Sequence, residues 1–278
     1  MRLAASIVVA SVGLSLAAPA VAADGYSLSN PAPADKLRDL CPDRPTKGTG
    51  ACTVDAGHWQ VESDIVNYSF QRDAGVSTQS WLATSPTVKL GLTDTIDAEL
   101  AFTPDVIVRA TDHTTGLSQT QSGFGDTYAR LKFQVASGQS FQAVILPFVK
   151  APTARSGIGN GAWEGGLIVP LQWNLPHGWQ LGLSPEADWL KDGSGSGYHL
   201  AASTPATLSH EIAPKVTGSV EVWTGSDFDP AGTTTQWSAD ASVAWLARPN
   251  LQLDAGVNLG LNRNTPGVQA YVGVSRRF

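Results

Sequence analysis

Five histidines, two cysteines and a scatter of carboxylates are the side chains of this 278-residue sequence best suited to covalent, metal or proton chemistry. A hydrolase acting on lipid needs a serine, a histidine and an orienting polar group within hydrogen-bond reach. The histidines are His58, His113, His177, His199 and His210. His199 and Ser203 share a face of one extended run, but four residues at about 3.3 Å each hold them roughly 13 Å apart, too far for direct proton transfer. His177 falls in a short turn and His113 in a polar connection, where solvated side chains are the ordinary outcome. Gly157-Ile158-Gly159-Asn160-Gly161 lacks the lysine of a phosphate-cradling loop, so it reads as a flexible connection. Cys41 and Cys52 have no clustered His or Cys to complete a tetrahedral metal site. In an exported chain a local disulfide is the expected pairing. No catalytic residues, metal or cofactor are expected, and the chain reads as a non-enzyme.

The remaining chemistry is electrostatic. Asp97, Glu99, Asp126, Arg130, Lys132, Glu186, Asp188, Lys215, Glu221, Asp240 and Asp254 sit on the polar phase of alternating runs. Thr95 to Thr103 is the clearest: Ile96, Ala98, Leu100 and Phe102 point one way, Asp97 and Glu99 the other. Similar runs of about ten residues follow one another from Trp59 to Phe278. Each has about the 9–11 residues of a tilted membrane strand, whereas soluble sandwiches use about 5–6. The elements that position the charges are therefore about twelve antiparallel strands closed into an all-β transmembrane barrel, with the charges facing its lumen. If the interior is wet they set a solute preference; if closed, they form a polar core that only holds the barrel together.

The connections support this reading. Short turns at Thr93-Asp94, Ser137–Gln139, Pro176–Gly178, Ala213-Pro214 and Arg248–Asn250 alternate with polar, Gly-rich connections over Gln71–Ser80, Arg109–Gly125, Ala151–Trp163, Lys191–Gly197, Gly225–Gln236 and Asn262–Gly267. Outer-membrane barrels alternate short periplasmic turns with longer outer loops in this way. Nine tryptophans near strand ends suit interfacial girdles. Met1-Arg2, the apolar run Leu3–Ala18 and Pro19–Ala23 read as a signal peptide, residues 1–22, cleaved after Ala22 or Ala23. Residues 23–57 have no sustained period and read as an irregular segment bearing the disulfide, either plugging the lumen or hanging in the periplasm. The barrel then occupies 58–278. With 18 basic against 24 acidic residues and a net charge of −6, there is no basic stripe for nucleic acid.

Several pieces carry a resemblance: Asp43-Arg44-Pro45, Gly57-His58-Trp59-Gln60-Val61-Glu62, Gly123-Phe124-Gly125-Asp126, Leu146-Pro147-Phe148-Val149-Lys150-Ala151-Pro152-Thr153 and the closing Val272-Gly273-Val274-Ser275-Arg276-Arg277-Phe278. With them the chain resembles the outer-membrane transporters labelled for the MetA-pathway of phenol degradation. Pro152-Thr153-Ala154 stands where that family's Pro-Thr-Gly is expected, and the Cys41–Cys52 stretch is atypical. The resemblance implies an outer-membrane barrel that moves small, aromatic or hydrophobic compounds. Expected partners are membrane lipid, a small-molecule solute and the barrel-assembly machinery, engaged through the last strand ending in Phe278. The expected function is a passive outer-membrane channel. The alternative is a non-transporting structural or interaction barrel with partner-binding outer loops, and an outer-membrane hydrolase is the weakest reading.

Overall fold

The structure, a computed structural model, describes residues 25–278; the signal peptide expected over 1–22 lies outside the described residues. Sixteen segments form one antiparallel sheet. They are β1 Trp59–Asp73, β2 Val76–Thr93, β3 Ile96–Ala101, β4 Asp105–Asp112, β5 Ser118–Gly123, β6 Thr127–Ser137, β7 Phe141–Ala151, β8 Glu164–Ile168, β9 Leu171–Asn174, β10 Gln180–Leu183, β11 Glu186–Lys191, β12 Tyr198–Ala213, β13 Val216–Asp227, β14 Thr234–Arg248, β15 Leu251–Gly260 and β16 Val268–Arg277. β1 pairs with both β2 and β16, which closes the sheet. Four barrel strands are each built from two segments, β3 with β4, β5 with β6, β8 with β9 and β10 with β11, so the wall is a closed barrel of 12 strands.

The interruptions have a common cause. Pro104, Pro170 and Pro185 stand in three of the four breaks, and Pro86 and Pro205 lie on the strands opposite two of them. A proline has no N–H to give the ladder, so pairing lapses beside it. The prolines still accept: Phe102 N donates to Pro86 O at 3.1 Å and Val144 N to Pro170 O at 2.9 Å.

Burial is inverted relative to a water-soluble protein. Lys89, Lys132 and Asp97 are 1%, 1% and 0% exposed, while Leu100, Val220 and Trp189 on the outer face are 45%, 58% and 58% exposed. An apolar exterior around a polar interior is the arrangement of a strand wall solvated by lipid.

Two expected outer loops are mostly strand. β1 and β2 run on to a two-residue turn at Ala74-Gly75, and β4 and β5 form a hairpin around 113–117, where Gln71–Ser80 and Arg109–Gly125 were expected to be irregular. The polar, Gly- and Thr-rich composition of these tips is that of hairpins projecting beyond the lipid, where both faces meet water.

Residues 25–58 contain no strand; a single 3-10 turn, Ala34–Lys36, and isolated bridges are their regular structure. The segment starts at the short-turn end, where Tyr26 N donates to Asp94, then enters the lumen and returns to pair Ala56 alongside Gly91. A Cβ at Gly91 would lie 2.0 Å from Asp55 O, so only glycine lets the returning chain lie against β2.

Candidate functional site: a lumenal plug and the wall that holds it

Residues 38–55 form a loop inside the barrel, tied across its own base by the Cys41–Cys52 disulfide. Gly50 N donates to Asp43 Oδ1 at 2.8 Å, so the loop also presents its central carboxylate in a fixed direction. That carboxylate lies between two lysines of the wall, Lys89 on β2 and Lys132 on β6, the latter at 2.7 Å. Lys89 also meets Glu62 at 2.5 Å, and Glu99 stands 3.6 Å from both ammoniums. Burial pushes the Asp43 carboxyl upward, but Lys132 and Lys89 outweigh it and hold the group well below the usual carboxylate range.

Arg44 reaches the opposite way, with Asp64 at 2.6 Å and Asp254 at 2.7 Å. Gly273 pairs with Asp64 on one side and Asp254 on the other, and its missing side chain is the floor on which the guanidinium rests. Burial works against this charge, yet the two carboxylates raise the Arg44 pKa above its ordinary value. Further along, Lys47 meets Asp240 at 3.2 Å, and the backbone N–H groups of Lys47 and Gly48 donate to Glu221 at 3.0 and 3.2 Å. Ser184 accepts from Thr49 N at 3.0 Å and donates to Thr49 O at 3.1 Å. On the return limb Val54 N donates to Asp97, and Asp55 is held by Arg38 at 2.7 Å and Arg277 at 2.8 Å. One apolar contact completes the seat: Ala51 packs on Val144, Leu146 and Ile168.

Of the wall charges singled out in the sequence, Asp97, Glu221, Asp240 and Asp254 contact the plug directly. Lys132 contacts it through Asp43, with Glu99 and Arg130 beside it at 3.8 Å from each other. Asp126 lies nearer the long-connection end, bound to Lys150 at 3.0 Å, and Lys150 also meets Glu164 at 2.7 Å. Glu186 and Asp188 are half-buried neighbours on β11, and Asp188 Oδ1 has no hydrogen-bond partner among the described residues. Lys215 departs from the expectation: it is exposed in the turn Pro214-Lys215 at φ 65, because the chain reverses there instead of continuing along the wall.

Sequence reasoning missed Glu62, Asp64, Lys89, Lys150 and Arg277. Lys89 was readable, since on β2 it alternates with Val88, Leu90 and Leu92 and so falls on the polar phase. His199 sits at the other end of the barrel with Asp192 at 3.0 Å and Asp227 at 2.7 Å, and no group of residues able to hold a metal ion occurs among the described residues.

Beside the plug, a cavity of about 920 Å³ opens at the short-turn end. Gln142, Gln172, Gln180, Ser209 and their neighbours on β7 to β13 line one side, with Gln134 and Ser137 of β6, Ala244 of β14 and Gln252 of β15 beside them, and the plug lines the other.

A twelve-stranded, lipid-facing barrel with an internal plug belongs to the class of bacterial outer-membrane β-barrels. More narrowly, the chain belongs to the family described as "Putative MetA-pathway of phenol degradation", whose model matches residues 42–278. Among solved structures it is similar to an outer membrane channel from Pseudomonas putida F1, with a TM-score of 0.63 at 13% identity, covering 80% of this chain and 95% of that one. The NanC porin gives a TM-score of 0.49 at 11% identity, over 78% of this chain and 98% of that one. No curated protein sequence matches.

Proposed function

We propose that the chain is a passive channel for small solutes across the outer membrane, with residues 38–55 as an internal plug that narrows it. What carries this reading is the way the plug is seated: through Asp43, Arg44 and Lys47 it meets charged wall residues, with a water-accessible cavity left along its other side. A barrel serving only as a scaffold has no need for a cavity of that size. The family resemblance and the similarity in fold to a channel point the same way. The wall charges act first as the seat of the plug, so Asp97 and Glu99, buried beneath it, set selectivity only in an unplugged state. Aromatic cargo is supported by the family's description alone.

Planar-bilayer conductance of the refolded chain tests the proposal. Stepwise conductance that widens when residues 24–57 are removed, or when Gly91→Val drives the returning limb off β2, supports a plugged channel. Silence in the full chain and in both variants, each shown to be folded, favours a structural or interaction barrel instead.

A further inference from the structure

The lumen is divided lengthwise. Glu62, Lys89, Asp97, Lys132, Asp254 and Arg277 stand on β1, β2, β3, β6, β15 and β16, and each is engaged by the plug or by a neighbour the plug engages. Across from them, the short-turn half of β7, β9, β10, β12 and β13 lines the cavity with uncharged side chains, and the one carboxylate next to them, Glu221 on β13, is taken up by Thr207 and by the N–H groups of Lys47 and Gly48 of the plug. Its side chains fall in two cross-strand rows: Gln142, Gln172, Gly182 and Thr207 in one, Asn174, Gln180, Ser209 and Ser219 in the other. Residues paired across an antiparallel ladder project from the same face, so the register itself makes a belt of amides and hydroxyls.

We infer that the cavity between the plug and this belt binds an uncharged, hydroxyl-bearing solute of up to disaccharide size, an inference that deepens the channel reading and rests on it. The chemistry selects by exclusion and by fit. An ionised solute would lose water with no counter-charge on the belt to replace it. The charged plug groups Arg38, Asp43, Arg44 and Asp55 that border the cavity are already paired, Asp94 accepts from Tyr26 N, and Lys36 and Asp39 lie exposed at its mouth. A bare aromatic ring would leave amides and hydroxyls unpaired, which disfavours it. A polyol both donates and accepts, as Gln, Asn, Ser and Thr do.

The belt is not satisfied within itself. Gln172 and Gln180 both direct Nε2 at one oxygen, Asn174 Oδ1, each at 3.3 Å, which leaves their amide oxygens for a guest. Gly182 contributes a notch in the upper row, where a built Cβ would stand 3.8 Å from Thr207 Cβ. The volume falls within the roughly 300–1,000 Å³ of small-molecule sites.

The test is calorimetric titration of the detergent-solubilised full chain with sucrose, glucuronate and phenol as probes. Expected is saturable sucrose binding, with glucuronate and phenol at least about tenfold weaker. Gly182→Trp and Ser209→Trp, which fill the cavity, should weaken sucrose by about tenfold or more. Should either tryptophan variant misfold, Gln172→Ala with Gln180→Ala tests the same belt without added bulk. The inference is overturned if sucrose fails to saturate folded wild-type protein, if phenol or glucuronate binds more tightly, or if belt variants bind sucrose as wild type does. Bilayer conductance on the same preparations separates the two readings. Conductance without sucrose binding removes this site and keeps the channel; sucrose binding without conductance does the reverse.

Discussion

Replacing Arg44 with alanine should release the plug, and the size of the effect can be worked from the seat. Asp254 has a fully buried side chain and Asp64 one only 13% exposed, and Arg44 neutralises both from a position 16% exposed. Removing the cation from such a buried arrangement typically costs about 3–5 kcal/mol, because carboxylates desolvated by the fold are left without a partner. At about 1.4 kcal/mol per decade, the docked state should lose roughly two to three and a half decades in its equilibrium against the undocked one. Amide hydrogen exchange over residues 38–55 reads that ratio directly where exchange proceeds through undocking, and bilayer conductance reads its consequence. The triple variant Arg44→Ala, Asp64→Asn, Asp254→Asn should recover most of the protection, since it removes the stranded charges together with their partner. Protection within about threefold of wild type in the single variant, or a triple variant as loose as the single one, would refute an electrostatic seat.

Acid should loosen the plug. The Asp43 carboxyl is depressed on docking from an ordinary value of 3.8, so its contribution is complete above that value and is lost as pH falls through it toward the docked value. Conductance should rise below about pH 4, with a smaller step in Asp43→Asn, which lacks the titrating carboxyl. Gly91→Val should raise conductance at every pH, since its side chain would have to occupy the space of Asp55 O; unchanged conductance and unchanged exchange of residues 54–57 would refute the close approach. Cys41→Ser with Cys52→Ser should raise exchange across the loop by about two decades, from the roughly 3 kcal/mol of chain entropy that a cross-link over a separation of 11 residues removes from the undocked loop. Equal exchange in the two proteins would mean that the wall alone orders the loop.

The barrel was legible in the sequence because lipid and lumen impose opposite solvents on alternate residues, and most runs keep that alternation. β7 does not, and the plug explains why. Val144 and Leu146 face the lumen but pack on Ala51, so this strand is apolar on both faces and its period of two fades. The hairpin tips were misread for the converse reason: above the lipid both faces meet water, and a strand that is polar on both faces looks like a loop. The plug was legible as a change of character before Gly57 and as one of two placements of residues 23–57, in the lumen or in the periplasm. Its contacts join residues far apart in the chain, such as Arg44 with Asp254, and no local pattern encodes such pairs.

Three of the five pieces that carry the family resemblance are scattered in sequence but meet in space. Asp43 and Arg44 of the first touch Glu62 of the second, with their backbone N–H groups donating to its Oε2 at 2.9 and 3.2 Å. Arg44 rests on Gly273 of the last, and Arg277 of the same piece binds Asp55 on the return limb. His58 bridges the second piece to the chain end: one ring nitrogen is 3.0 Å from Phe278 O and the other 2.8 Å from Ala32 O. These residues make a seat, which explains why they include paired charges and a bare glycine but no nucleophile. Solute discrimination then has to come from somewhere else. Apart from Thr207, which donates to the Glu221 carboxylate that holds the plug, the belt of β7 to β13 is free of the seat, so its side chains can change with the cargo without unseating the loop.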